Sequence, residues 1–77
     1  MKIQVLGPGC AKCEELAKRT EEVARELGLG ETIEKVTDIA KIMEFGVMMT
    51  PALAIDGEVK ISGRVPSRDE IVKILKG

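Results

Sequence analysis

The stretch Leu6-Gly7-Pro8-Gly9-Cys10-Ala11-Lys12-Cys13-Glu14-Glu15-Leu16-Ala17 contains both cysteines of the 77-residue chain, three positions apart. Before it, Lys2 to Leu6 is a short β-prone run that Gly7-Pro8-Gly9 ends as a loop. After it, Leu16, Ala17, Thr20, Val23, Ala24 and Leu27 recur at three- and four-residue spacing, with Glu14, Glu15, Lys18, Arg19, Glu21, Glu22, Arg25 and Glu26 on the other face. That spacing predicts an amphipathic helix, stopped by Gly28. Glu14 to Lys18, Glu15 to Arg19 and Glu21 to Arg25 are i,i+4 pairs in the favourable orientation. The cysteines therefore stand where a strand hands over to the N-terminus of a helix.

Residues three apart in a helical turn have Cα atoms about 5 Å apart, within disulfide range, so a bridge there can open and close with little backbone movement. The first N–H groups of a helix lack helical partners and carry partial positive charge, which stabilises a thiolate. Cys10 is placed to gain most, and Lys12 adds a solvent-screened positive charge that tunes it. Cys13 lies one turn in, on the side of Leu16 and Ala17, and is expected to be less exposed. Roles follow from this asymmetry: Cys10 attacks a disulfide, and Cys13 resolves the mixed disulfide.

The composition removes competing chemistries. The chain has no His, Trp or Tyr and one Phe, so imidazole metal sites, His-based triads and base-stacking platforms are excluded. Twelve basic and thirteen acidic residues, interspersed, leave no footprint for nucleic acid. The apolar opening is too short for a signal peptide or a membrane span, so a cytoplasmic protein is expected. As a staple, a Cys10–Cys13 bridge would close a four-residue loop worth about 2 kcal/mol, which fits a reducing compartment and a thiol with a chemical role. A chain of this length is expected to form one domain, residues 1–77. It lacks Asn, has one Gln and is rich in Glu, Lys and Arg, a bias seen in hyperthermophile proteins.

Further along, Thr32 to Val36 suits a partly buried strand. Thr37 or Asp38 can cap a short helix with Ile39, Ile42 and Met43 inward, closed by Gly46. Ala52-Leu53-Ala54-Ile55 is a continuous apolar run expected of a central strand, and Asp56-Gly57 is a type I′ hairpin signal. Glu58 to Ser62 alternates as an edge strand, and Ser67-Arg68-Asp69-Glu70 is a capping box heading a third helix buried through Ile71, Val72, Ile74 and Leu75. Core filling is the expected fate of at least some of Phe45, Met48 and Met49. Pro51 is compatible with a strand-start proline. Gly63 either permits a close backbone approach or ends a strand. The order is β-α-β-α-β-β-α, an α/β fold with a four-stranded mixed sheet flanked by helices.

Cys10-Ala11-Lys12-Cys13 at a helix start, Phe45 to Leu53 with Thr50-Pro51, the Asp56-Gly57 hairpin and Gly63 before a closing helix resemble the small thioredoxin-like, glutaredoxin-sized redox-active disulfide proteins. The resemblance covers nearly the whole chain. It implies a minimal thioredoxin-like fold with strand order second, first, third, fourth. It also implies a cis Pro51 against the cysteine pair, and a Thr50 whose backbone is offered to a bound peptide. The implied activity is thiol-disulfide oxidoreduction without a bound cofactor, on protein or small-molecule disulfides and with an unidentified reductase. Departures from the pattern are Gly9 in place of an aromatic residue, Ala11-Lys12 in place of Gly-Pro, and Gln4 in place of the buried acid of the first strand. Deprotonation of Cys13 then relies on water or another group. Two other readings use the same thiols: a Cu(I)-type metal-delivery module, like copper chaperones that end in a strand, and a redox-sensing interaction module.

Overall fold

Four consecutive buried residues, Ile3 to Leu6, form strand β1 at the centre of the sheet. The computed structural model describes residues 2–29 and 33–76. The remaining elements are α1 (Ala11–Glu26), β2 (Ile33–Val36), α2 (Ile39–Glu44), β3 (Ala52–Ile55), β4 (Glu58–Ser62) and α3 (Arg68–Lys76). The expected start of the second strand at Thr32 lies outside the described residues. The sheet runs β2-β1-β3-β4, with β1 parallel to β2 and the other pairs antiparallel. This is the expected mixed sheet, with the apolar β3 inside and the alternating β4 at the edge.

Side chains alternate across the sheet and build two cores. Ile3 and Val5 of β1 and Leu53 and Ile55 of β3 meet Leu16, Ala17, Val23 and Ala24 of α1 and Ile71 and Leu75 of α3. On the other face Leu6, Ala52 and Ala54 meet Ile42 of α2, with Val36 and Val47 closing the cluster. The second core is thin because the sheet presents alanines there and α2 is only six residues long. For the same reason α2 buries Ile42 alone, while Ile39 is 63% and Met43 67% exposed. The inward placement expected for Ile39 and Met43 is therefore corrected: a helix of under two turns on an alanine surface seats one apolar residue. Phe45 packs against this core, but Met48 and Met49 stay outside it.

Local signals in the sequence have the expected physical outcome. Asp38 caps α2 by accepting the Ala40 N–H at 2.9 Å. Asp56 and Gly57 adopt φ of 51° and 84°, the doubly left-handed pair of a type I′ turn. Asp56 also ties the hairpin to the start of β1: its N–H donates to Lys2 O at 2.8 Å, and its Oδ1 accepts the Lys2 N–H at 2.7 Å. Of the i,i+4 pairs, Glu15–Arg19 forms at 3.0 Å, whereas the Glu14 carboxylate turns to Lys35 of β2 at 3.2 Å. The Arg19 guanidinium also donates to Pro66 O at 2.9 Å, and Arg68 pairs with Glu26, so α1 and the head of α3 are joined by polar contacts above their shared core.

The capping box of α3 is complete: the Glu70 N–H donates to Ser67 Oγ, and the Ser67 N–H to Glu70 Oε1, each at 3.2 Å. The same carboxylate accepts two hydrogen bonds from Arg64, at 2.9 and 2.6 Å. Arg64 first, and the Ser67 backbone N–H second, hold the Glu70 carboxyl at about 2, below its ordinary 4.5. A group depressed on folding contributes stability that is full above its unfolded value and is lost as pH falls through the folded one. The window here is therefore about 4.5 down to about 2. In thermal unfolding, Glu70→Gln is expected to be less stable than the parent at pH 7, and that gap is expected to close across this window. A gap that stays constant to pH 2 would show that Glu70 acts through packing alone.

Candidate active site

β1 ends at Leu6, and the chain turns through Gly7, Pro8 and Gly9 to deliver Cys10 as the N-cap of α1. Cys10 has extended backbone angles, φ −70° and ψ 166°, as an N-cap requires, and its side chain takes the place of the usual Ser or Asp. The Cys13 N–H donates to Cys10 Sγ at 3.3 Å. Both cysteines are free thiols, Cys10 exposed and Cys13 buried at 4% exposure.

This geometry separates the two thiols electrostatically. Cys10 titrates below its ordinary value, chiefly because the Cys13 thiol and then the Cys13 N–H donate to its sulfur; the Lys12 backbone N–H adds to this. Cys13 titrates above its ordinary value, first because burial penalises its thiolate and next because its proton is engaged by Cys10. The pair thus shares one readily lost proton, and the exposed sulfur carries the resulting charge.

Thr50 and Pro51 lie in the loop before β3. Their peptide bond is cis, Pro51 is fully buried and Thr50 is exposed. The Pro51 carbonyl accepts the N–H of Gly63 at 2.9 Å, which fixes the loop to the end of β4. Gly63 allows a close approach, since a Cβ there would stand 3.3 Å from Met49 Cβ. Gly7, which the sequence places only in a loop, is part of the site: a Cβ on it would stand 2.3 Å from Cys13 Sγ and 3.8 Å from Thr50 Cβ. The available signal was a glycine placed directly after a buried strand and three residues before the first cysteine.

An apolar groove of about 390 Å³ is lined by Pro8, from the loop that leads to Cys10, and by Ile39, Ile42, Met43, Val47, Met48 and Thr50. Met48 is 97% exposed at its rim. The groove is not legible in the sequence, whose spacing turns Ile39 and Met43 toward the core. Among the described residues no group of three or more Cys, Asp or Glu side chains is arranged to hold a metal ion, and the chain has no His. No helix among them is long and apolar enough to cross a membrane.

A β2-β1-β3-β4 sheet with α1 and α3 on one face and α2 on the other, opening α1 with a cysteine pair, places the molecule among the thioredoxin-fold dithiol proteins. The thioredoxin domain family matches residues 1–76. A thioredoxin of Methanothermobacter thermautotrophicus is 49% identical over 75 residues, covering 97% of each chain. One of Methanocaldococcus jannaschii is 38% identical over 74 residues, covering 96% of this chain and 85% of that protein. The chain belongs to the thioredoxin family and is a thiol-disulfide oxidoreductase. The metal-delivery reading is not favoured, because the relatives that match nearly the whole chain are thioredoxins. These relatives come from thermophilic archaea, in keeping with the composition.

Proposed function

We propose that Cys10 and Cys13 are the redox couple of a disulfide reductase acting as one domain in the cytoplasm, with Cys10 as nucleophile and Cys13 as resolving thiol. The observation that carries this reading is the Cys13 N–H donated to the exposed Cys10 sulfur at 3.3 Å, beneath which Cys13 stays buried. The Cys10 thiolate attacks one sulfur of a substrate disulfide. A Cys10–substrate disulfide forms, and the other substrate sulfur leaves as a thiolate that takes a proton from solvent. Once Cys10 is bonded, its negative charge no longer opposes ionisation of Cys13. Cys13 then gives its proton to water, since Gln4 on β1 cannot accept one, and attacks Cys10 Sγ. The second substrate thiolate leaves, and two electrons have passed from the dithiol to the substrate.

Thr50, exposed beside this pair, offers backbone to an extended segment of the substrate, and Pro51 holds that loop in place. The groove behind Thr50 and Pro8 accepts an apolar side chain next to the substrate cysteine. Substrates are disulfide-containing proteins or small molecules, and a separate reductase returns the electrons. The test is to mix the dithiol form with insulin as a disulfide substrate. Disulfides reduced should match Cys10–Cys13 bridges formed, one for one. Failure to reduce, or substrate reduction without bridge formation, would reject the reading.

A further inference from the structure

Gly7 and Gly9 flank Pro8 but are glycines for different reasons. Gly9 has φ +98° and open space where a side chain would be, so its conformation requires glycine. Gly7 is outside the left-handed region and is buried, so any L-residue could adopt its backbone. What it lacks is room. A Cβ on Gly7 would stand 2.3 Å from Cys13 Sγ, 3.1 Å from Cys13 Cβ and 3.8 Å from Thr50 Cβ. Carbon and sulfur atoms in contact keep well over 3 Å apart, so the first of these separations cannot be realised. Gly7 cannot simply withdraw, because its N–H donates to Val36 O at 2.9 Å and extends the β1–β2 ladder.

The space left by the missing side chain is therefore occupied by the resolving thiol. We propose that Gly7 is a positioning residue for the Cys10–Cys13 couple: the bare backbone there is the seat that receives the Cys13 thiol in the dithiol form, and it thereby sets how readily the pair is oxidised. The inference rests on the reading of these cysteines as a redox couple. A methyl group at position 7 closes the seat and forces Cys13 Sγ into another rotamer, of which a helix allows few. The dithiol form bears this cost in full. The disulfide form, whose Cys13 sulfur is held by its bond to Cys10, depends less on the seat. Overpacking is thus expected to act unequally on the two redox states.

The experiment equilibrates the wild type and Gly7→Ala with mixtures of oxidised and reduced dithiothreitol and measures bridge formation by thiol alkylation and mass spectrometry. In this exchange the protein dithiol gives two electrons and two protons to oxidised dithiothreitol, which becomes the reduced dithiol. Gly7→Ala is expected to shift the equilibrium about tenfold toward the protein disulfide, a potential about 30 mV more negative for a two-electron couple. In denaturant unfolding, the dithiol form should lose more stability than the disulfide form. An unchanged equilibrium constant with both forms equally weakened would show a purely structural glycine and overturn the proposal, as would a shift toward the dithiol. Should Gly7→Ala not fold, Gly7→Ala/Cys13→Ala is compared with Cys13→Ala. Folding of the double variant supports a seat for the thiol, because the colliding sulfur is gone; its failure overturns the proposal. A wild type that forms no Cys10–Cys13 bridge would instead bring down the underlying functional reading, and this inference with it.

Discussion

Cys10→Ser is expected to lower disulfide reduction to the uncatalysed background, whereas Cys13→Ser is expected to halt the reaction halfway with substrate bonded to Cys10. The two sulfurs are close in space but not equivalent. Cys10 is exposed and receives the Cys13 N–H at 3.3 Å, so its thiolate is stabilised and open to attack a partner. A serine hydroxyl in its place stays protonated and attacks no disulfide. Cys13 is buried, and burial disfavours its thiolate so that it keeps its proton, which bars it from substituting as the attacking group. Its serine variant still permits the first attack but removes the only thiol positioned to release the product. Mass spectrometry under non-reducing conditions should find the covalent adduct with Cys13→Ser and none with Cys10→Ser. An adduct carried by Cys13 in Cys10→Ser would reverse the assigned roles.

Leu53→Ala is expected to remove a large share of the folded state's stability. Leu53 has no exposed surface, pairs in register with Val5 of β1 and Ile61 of β4, and belongs to the core that joins the sheet to α1 and α3. Truncating a buried leucine costs about 2–5 kcal/mol, because the surroundings close only part of the cavity. A chain of 77 residues has roughly 4–12 kcal/mol in total at the usual stability per residue, so this one change removes a large share. The expected fall in Tm is roughly 8–40 °C for a domain of this size. Met48→Ala, at a residue 97% exposed, serves as the control and is expected to stay within about 0.5 kcal/mol of the parent. A Leu53→Ala loss as small as that of Met48→Ala in urea unfolding would contradict the placement of the core.

Much of this arrangement is legible in the residues because the relevant physics is local. The three-four spacing from Leu16 to Ala24 specifies a helix face, the run Ala52 to Ile55 specifies an inner strand, and Asp56-Gly57 accepts the two positive φ angles of its turn. Ser67 and Glu70 reach each other across one helical turn, so their capping box depends on nothing distant. The cysteine pair was equally readable, since spacing and a helix start suffice to give one sulfur an N–H donor. At α2 the local pattern no longer suffices. Its spacing suits an inward Ile39 and Met43, but which apolar side chains a short helix buries depends on the surface opposite, and Ala52 and Ala54 offer little to cover.

By itself the sequence determined the element order, the central strands, the caps and the place of the two thiols, because each rests on periodicity or on contacts within a few residues. Only the tertiary structure decided that Gly7 faces Cys13 Sγ, that Thr50 closes the same space from another loop, and that Ile39 and Met43 line a groove instead of filling a core. Those outcomes depend on distances between segments far apart in the chain. They follow from how the sheet brings the ends of β1 and β3 together, and no residue pattern encodes that separation directly.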